Sequence, residues 1–139
     1  MLPDAEHPVV ILDEPECWDL LLGSTLGRLA VSVRNQPEIY PVNFLAHDGK
    51  ILLRTSQGDK LVQLTINNTV AFETDGRSAN SVWSVLVKGV ARELDTQAEI
   101  DAARQLPLRP WTPTHKGVFV EIEPTNVTGR RIAVGPEPE

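Results

Sequence analysis

Two apolar runs, Ile39 to Ala46 and Lys50 to Thr55, meet at His47-Asp48-Gly49-Lys50, and that Asp-Gly pair constrains the chain more than any other feature. Asp-Gly between alternating apolar residues signals a two-residue turn that needs positive φ at both central positions, so the runs on either side are antiparallel strands. Other segments follow the same pattern. Arg28 to Val33 reads as a strand that turns at Asn35-Gln36-Pro37 into the run from Ile39. Thr69 to Thr74 (TVAFET), Val82 to about Leu94 and Gly117 to Ile132 supply the remaining strands, the last as one or two. Three short helices fit between them. Asp13 caps the first, with Trp18, Leu21 and Leu22 as its apolar stripe and Gly23 as its stop. Gly58 to Ile66 forms the second with Leu61 and Leu64 inward, and Thr96-Gln97-Ala98-Glu99 is a capping box for a third. About six strands joined by hairpins and short helices predict a mainly β fold, a small antiparallel barrel. Residues 1–12 and 133–139 are expected to be flexible ends, leaving 13–132 as one domain.

Charge and composition exclude several functions. A net charge of −6 opposes general nucleic-acid binding, which needs a basic face, and the doublet Arg130-Arg131 is too short to make one. No apolar run approaches the roughly 20 residues of a membrane span, and MLPDAEHPVV lacks the basic flank and apolar stretch of a secretory signal. The single cysteine, Cys17, excludes an internal disulfide and suits a reducing compartment, so a cytoplasmic location is expected.

Chemistry-bearing motifs are few. His7, His47 and His115 are far apart, and no pair has ligand spacing, so no metal site is expected. The chain has no G-x-S-x-G elbow, and neither Gly-rich nucleotide loop occurs. Cys17 falls on the amphipathic first helix beside Trp18, as a packing residue does. LLRTSQGDKL (52–61) gathers two cations and two hydroxyls between a strand and a helix. Arg54, Thr55, Ser56, loop amides and Lys60 could hold a phosphate there, with Gly58 turning the loop. A solvated polar turn is the other reading, and the residues alone leave both open. Pro41 interrupts a strand and so demands a sheet edge or a bulge, while Asn43 is an unusual strand residue. Trp83 and Ser84 fall on opposite faces of the long strand, and Trp111 sits in the proline-rich loop PLRPWTPT (107–114).

Taken in order, GRLAV (27–31), PVNF (41–44), LRTSQGDKL (53–61), VAFETD (70–75), VWSVLVKGVA (82–91) and NVTGRRI (126–132) resemble the pyridoxamine 5′-phosphate oxidase-like, FMN-binding split-barrel family, in its short actinobacterial-type branch. The resemblance implies a six-stranded antiparallel split β-barrel with short flanking helices. It also implies a homodimer with flavin sites at the subunit interface and a small-molecule substrate. By the same resemblance Arg54 and Thr55 would lie along the flavin ribityl chain and phosphate, with Lys60 on the phosphate, and the hydroxyl of Ser56 is counted with them as cofactor-binding. Pro41, Val42 and Asn43 would pass the isoalloxazine edge, Trp83 and Ser84 would approach from the long strand of the partner, and Trp111 would close the site. Where the oxidases carry another arginine before the lysine, this chain has Asp59, which implies flavin binding without pyridoxamine oxidation. The expected activity is that of an FMN-dependent oxidoreductase with no general acid or base assigned. A deazaflavin-dependent reductase on the same fold and a flavin-storage module are the alternatives.

Overall fold

Asp48 and Gly49 adopt φ of 53° and 70°, the paired left-handed conformation that this turn requires. The computed structural model describes residues 2–56, 58–108 and 117–136, with residues 59 and 60 as backbone only. In chain order these form β1 (Val9–Leu12), α1 (Glu14–Leu22), β2 (Leu26–Val33), β3 (Gln36–His47), β4 (Lys50–Thr55), α2 (Asp59–Ile66), β5 (Thr69–Arg77), β6 (Ser81–Glu93), α3 (Gln97–Arg104) and β7 (Val118–Ala133). The first hairpin turn is at Arg34-Asn35, one residue earlier than expected, with φ of 54° and 63°. Pairing therefore resumes at Gln36, opposite Val33.

The strands run β7-β4-β3-β2-β5-β6, and β6 pairs back onto β7 to close an antiparallel barrel of six. β7 holds two neighbours in succession on one edge. Val118 to Ile122 pair with β4, and Gly129 to Ile132 pair with β1. The split in the barrel lies between these stretches.

β1 makes seven strands where six were expected, and it falls in the segment that the sequence assigns to a flexible end. Val9-Val10-Ile11-Leu12 is apolar and mostly β-branched, but four residues between Pro8 and Asp13 are too short for an alternation to show. Its pairing with β7 and the burial of Leu12 fix it in place. Pro41 resolves as an edge rather than a bulge. Its pairing with Arg28 of β2 belongs to an unbroken register, and β4 covers β3 only from Phe44 onward.

The alternation of each strand separates two apolar clusters. Inside the barrel, Leu29, Val42, Phe44, Ile51, Leu53, Phe72, Val85, Val87 and Ile122 pack together, with Cys17 and Leu21 of α1 against them. Phe44 and Phe72 meet edge to face at 4.7 Å. Gly27 permits that packing, because a Cβ there would stand 2.4 Å from the Phe72 ring. On the outer face of β4 and β7, Leu52 and Phe119 pack with Leu94, Ala103 of α3 and Leu108.

Both expected capping boxes begin as read, but they finish differently. Asp13 accepts from the Glu16 amide at 2.9 Å, and Glu16 returns to the Asp13 amide at 3.4 Å. Thr96 accepts from the Glu99 amide at 3.2 Å, but the Glu99 carboxylate turns to Arg92 of β6 at 2.9 and 3.2 Å. The Arg92 hydrogen bonds hold its carboxyl down at about 2, against an ordinary value of 4.5. A depressed carboxyl stabilises the fold above its unfolded value and loses that contribution as pH falls through the folded one. Thermal unfolding of the parent and of Glu99→Gln should therefore differ at neutral pH. The difference should close as pH falls from about 4.5 towards 2, and a pH-independent difference would contradict the assignment.

Candidate functional site

The first wall is the outer face of β3 and β4 where their pairing ends. Asn43 and Arg54 are the residues just beyond the last bonded pair, Phe44 with Leu53. The Asn43 amide donates to the Thr25 carbonyl at 3.4 Å. The Arg54 guanidinium lies 5.1 Å from the centre of the Phe119 ring and donates to the Leu108 carbonyl at 3.5 Å. These contacts fix the stem and the plane of the arginine, which favours a directed role over a solvated one. Pro41 is exposed farther along the same face of β3.

Strand alternation sends the neighbours of these residues elsewhere. Val42 is buried in the barrel, so only its backbone can border a ligand on this wall. Thr55 is buried on the face of β4 opposite Arg54, and its hydroxyl donates to the Ser56 carbonyl at 3.2 Å. Ser56 is exposed at the strand end. Gly58 departs from its expected part, because its φ of 164° is extended backbone and no atom of the described residues lies within 4 Å of a Cβ placed there. Among the described residues no side chain caps the start of α2, and the first-turn amides of a helix suit an anion. The side chain of Lys60, and Trp111, lie outside the described residues.

The second wall is β6. The Trp83 indole lies on Gly76 of β5, where a Cβ would stand 2.4 Å from the ring. Asp75, Gly76, Arg77, Val82, Trp83 and Ser84 border a cavity of about 440 Å³ there. Ser84 faces outward between Asp75 of β5 and Arg130 of β7. Arg28 of β2 holds two acids of β5, Asp75 at 3.1 Å and Glu73 at 3.5 Å. Burial first, and then the neighbouring Asp75, push the Glu73 carboxyl up against the pull of Arg28.

A single chain does not bring the two walls together: β2 and β5 separate β3 from β6 on one side of the barrel, and on the other Arg54 pairs with Phe119 near the start of β7 while Ser84 and Trp83 pair with Arg130 and Arg131 near its end. Arg28, Glu73, Asp75 and Arg130 were not among the site residues expected from sequence. The period-2 alternation of β5 and β7 around Ser84 was the signal that could have found them. Among the described residues no group of three or more His, Cys, Asp or Glu is placed to hold a metal, and no helix is long and apolar enough to cross a membrane.

Comparison with known proteins places this architecture. An uncharacterised protein of Mycobacterium tuberculosis is 33% identical over 138 residues, covering 94% of this chain and 90% of its own. A pyridoxamine 5′-phosphate oxidase-type protein of Corynebacterium glutamicum superposes with a TM-score of 0.85 at 39% identity, covering 94% of this chain and 97% of that one. The FAD-binding protein of Mycobacterium smegmatis superposes with a TM-score of 0.78 at 40% identity, covering 90% of this chain and 99% of that one. Residues 13–131 match the pyridoxamine 5′-phosphate oxidase family. With the closed six-stranded barrel, its split along β7 and that match in agreement, the chain belongs to the pyridoxamine 5′-phosphate oxidase-like family.

Proposed function

We propose that the protein is a cytoplasmic FMN-dependent oxidoreductase that holds its flavin between two copies of the chain. One observation carries this reading. The implied flavin residues divide between two regions of the barrel, Asn43 and Arg54 where β3 and β4 part and Trp83 and Ser84 around one cavity at the start of β6, which a second copy can bring together. The 40% identity to a protein described as FAD-binding supports a flavin as the ligand class. Bound flavin supplies the hydride chemistry, and the protein supplies position, polarity and exclusion of water. Arg54, already braced on Phe119, offers a fixed cation near the end of β4, and the start of α2, which follows in the chain, offers amides; a cation and helix-start amides together suit a phosphate. Trp83, packed on Gly76 and against the barrel core, borders the cavity beside Ser84 in the other region.

Reconstitution with FMN followed by sedimentation and chromatography of the released cofactor tests this reading. Two chains with one FMN each are expected. A monomer that retains flavin would overturn the shared site, and retention of FAD or a deazaflavin in preference would reassign the carrier. A second measurement concerns the family's named reaction. With Asp59 standing where the oxidases carry an arginine, the FMN-loaded protein should be reduced by a chemical donor yet form no pyridoxal 5′-phosphate from pyridoxamine 5′-phosphate. Sustained turnover in that assay would show that Asp59 does not exclude the substrate.

A further inference from the structure

A groove of about 520 Å³ runs along the outer face of β5, β6, β7 and β1, with Glu73, Ser84, Leu86, Thr128, Arg130 and Ile11 in its lining. Register sets its layout. Ser84 lies between Asp75 and Arg130, Leu86 lies between Glu73 and Thr128, and Ile11 lies beyond Arg130. Adjacent strands stand about 4.8 Å apart, so the backbones of Asp75 and Arg130 are about 10 Å apart across Ser84.

The charges on either side of Ser84 do not close on each other. Glu73 and Asp75 both turn to Arg28, two carboxylates on one cation. Arg130 forms no ion pair among the described residues, and neither it nor Ser84 nor Thr128 forms a side-chain hydrogen bond there. A planar cation and two hydroxyls therefore converge on one groove with their donors unspent. The guanidinium fork matches a planar carboxylate, and serine and threonine hydroxyls add donors beside it. Leu86 and Ile11, the latter 72% exposed, flank these donors with apolar surface. Across Ser84 the acid pair keeps net negative charge, which disfavours a dianion more than a monoanion and turns the charged end of a ligand towards Arg130.

We propose that Arg130, Thr128 and Ser84 form the subsite for the carboxylate of a small, otherwise apolar substrate. Calling that ligand the substrate rests on the flavin reading, since the resemblance places Ser84 at the flavin. Binding itself does not. The experiment titrates benzoate, and benzyl alcohol as its uncharged counterpart, into the full chain with and without FMN, following backbone amide shifts by NMR. Benzoate should bind about tenfold or more tightly than the alcohol, and Arg130→Gln should remove most of that difference. Arg130→Lys should keep part of it. Lys88→Gln, which removes a cation from the same outer face outside the groove, should change nothing. Should Arg130→Gln fail to fold by its melting curve, Thr128→Val decides, with a several-fold loss expected for benzoate alone. Equal binding of the two probes, or an unchanged preference in Arg130→Gln, would overturn the proposal. So would an Arg130→Gln variant that loses FMN but keeps riboflavin and benzoate, because the cation would then serve the flavin phosphate. Benzoate preference in a protein that binds no flavin would uphold the carboxylate subsite and overturn the flavin reading.

Discussion

Phe72→Ala should lower the unfolding free energy by about 3–5 kcal/mol, the range for removing a large aromatic from a close-packed core. Phe72 is fully buried on β5, and its ring meets Phe44 edge to face at 4.7 Å in the centre of the barrel. Domains of this size are stable by about 5–15 kcal/mol, so the loss would take a large part of the total. Urea unfolding of the two proteins gives the value directly. Gly27→Ala sharpens the test, because its Cβ would stand 2.4 Å from the Phe72 ring and 2.8 Å from the Glu73 carbonyl oxygen. The double variant should lose less than the two single losses summed, since removing the ring relieves the first clash and leaves the second. Strict additivity would mean that the ring does not press on Gly27. A Phe72→Ala loss below about 1 kcal/mol would mean that the barrel collapses to fill the space.

The other large effect is on ligand binding. Lys60→Ala should weaken FMN by roughly ten- to a hundredfold and leave riboflavin nearly unchanged, because a charge-assisted hydrogen bond contributes about 1.5–3 kcal/mol and riboflavin lacks the phosphate that would receive it. Arg54→Ala should reduce FMN binding to a similar extent. It should also weaken riboflavin somewhat, since the stem of Arg54 is held against Phe119 and forms part of the wall. Fluorescence titration of both flavins against each variant is sufficient. Equal losses for the two ligands, or none for either, would return residues 52–61 to a polar turn between a strand and a helix.

Local chemistry was legible where a few neighbouring residues decide the outcome. Asp48-Gly49 specifies its own turn, and the Asp13–Glu16 box closes within one helical turn. The choices made by remote partners could not be read. Glu99 has the right spacing to complete a capping box, but Arg92 on another strand offers it a charged partner. β1 is four apolar residues until β7 gives them a register. The site divides in the same manner. Alternation correctly separates Trp83 from Ser84, and the same rule places Arg54 and Thr55 on opposite faces of β4, so they cannot line one surface with both side chains. Arg130-Arg131 was read as a doublet too short for a basic patch. In a strand the doublet is two separate residues, and only Arg130 reaches the groove beside Ser84.

β7 also bears on how the protein comes to be folded. Its sixteen residues are the last described strand in the sequence, and they bond to β1, β4 and β6, drawn from the beginning, middle and later part of the chain. Until β7 has been synthesised, β4 and β6 each keep an open edge and β1 has nothing to join. A nascent chain on the ribosome would thus present unpaired β-edges until Val118–Ala133 has emerged. Contacts this distant in sequence make for slow folding. Conditions that shorten the wait for β7, or shield those edges while it is awaited, should govern how much of the chain is recovered in folded form.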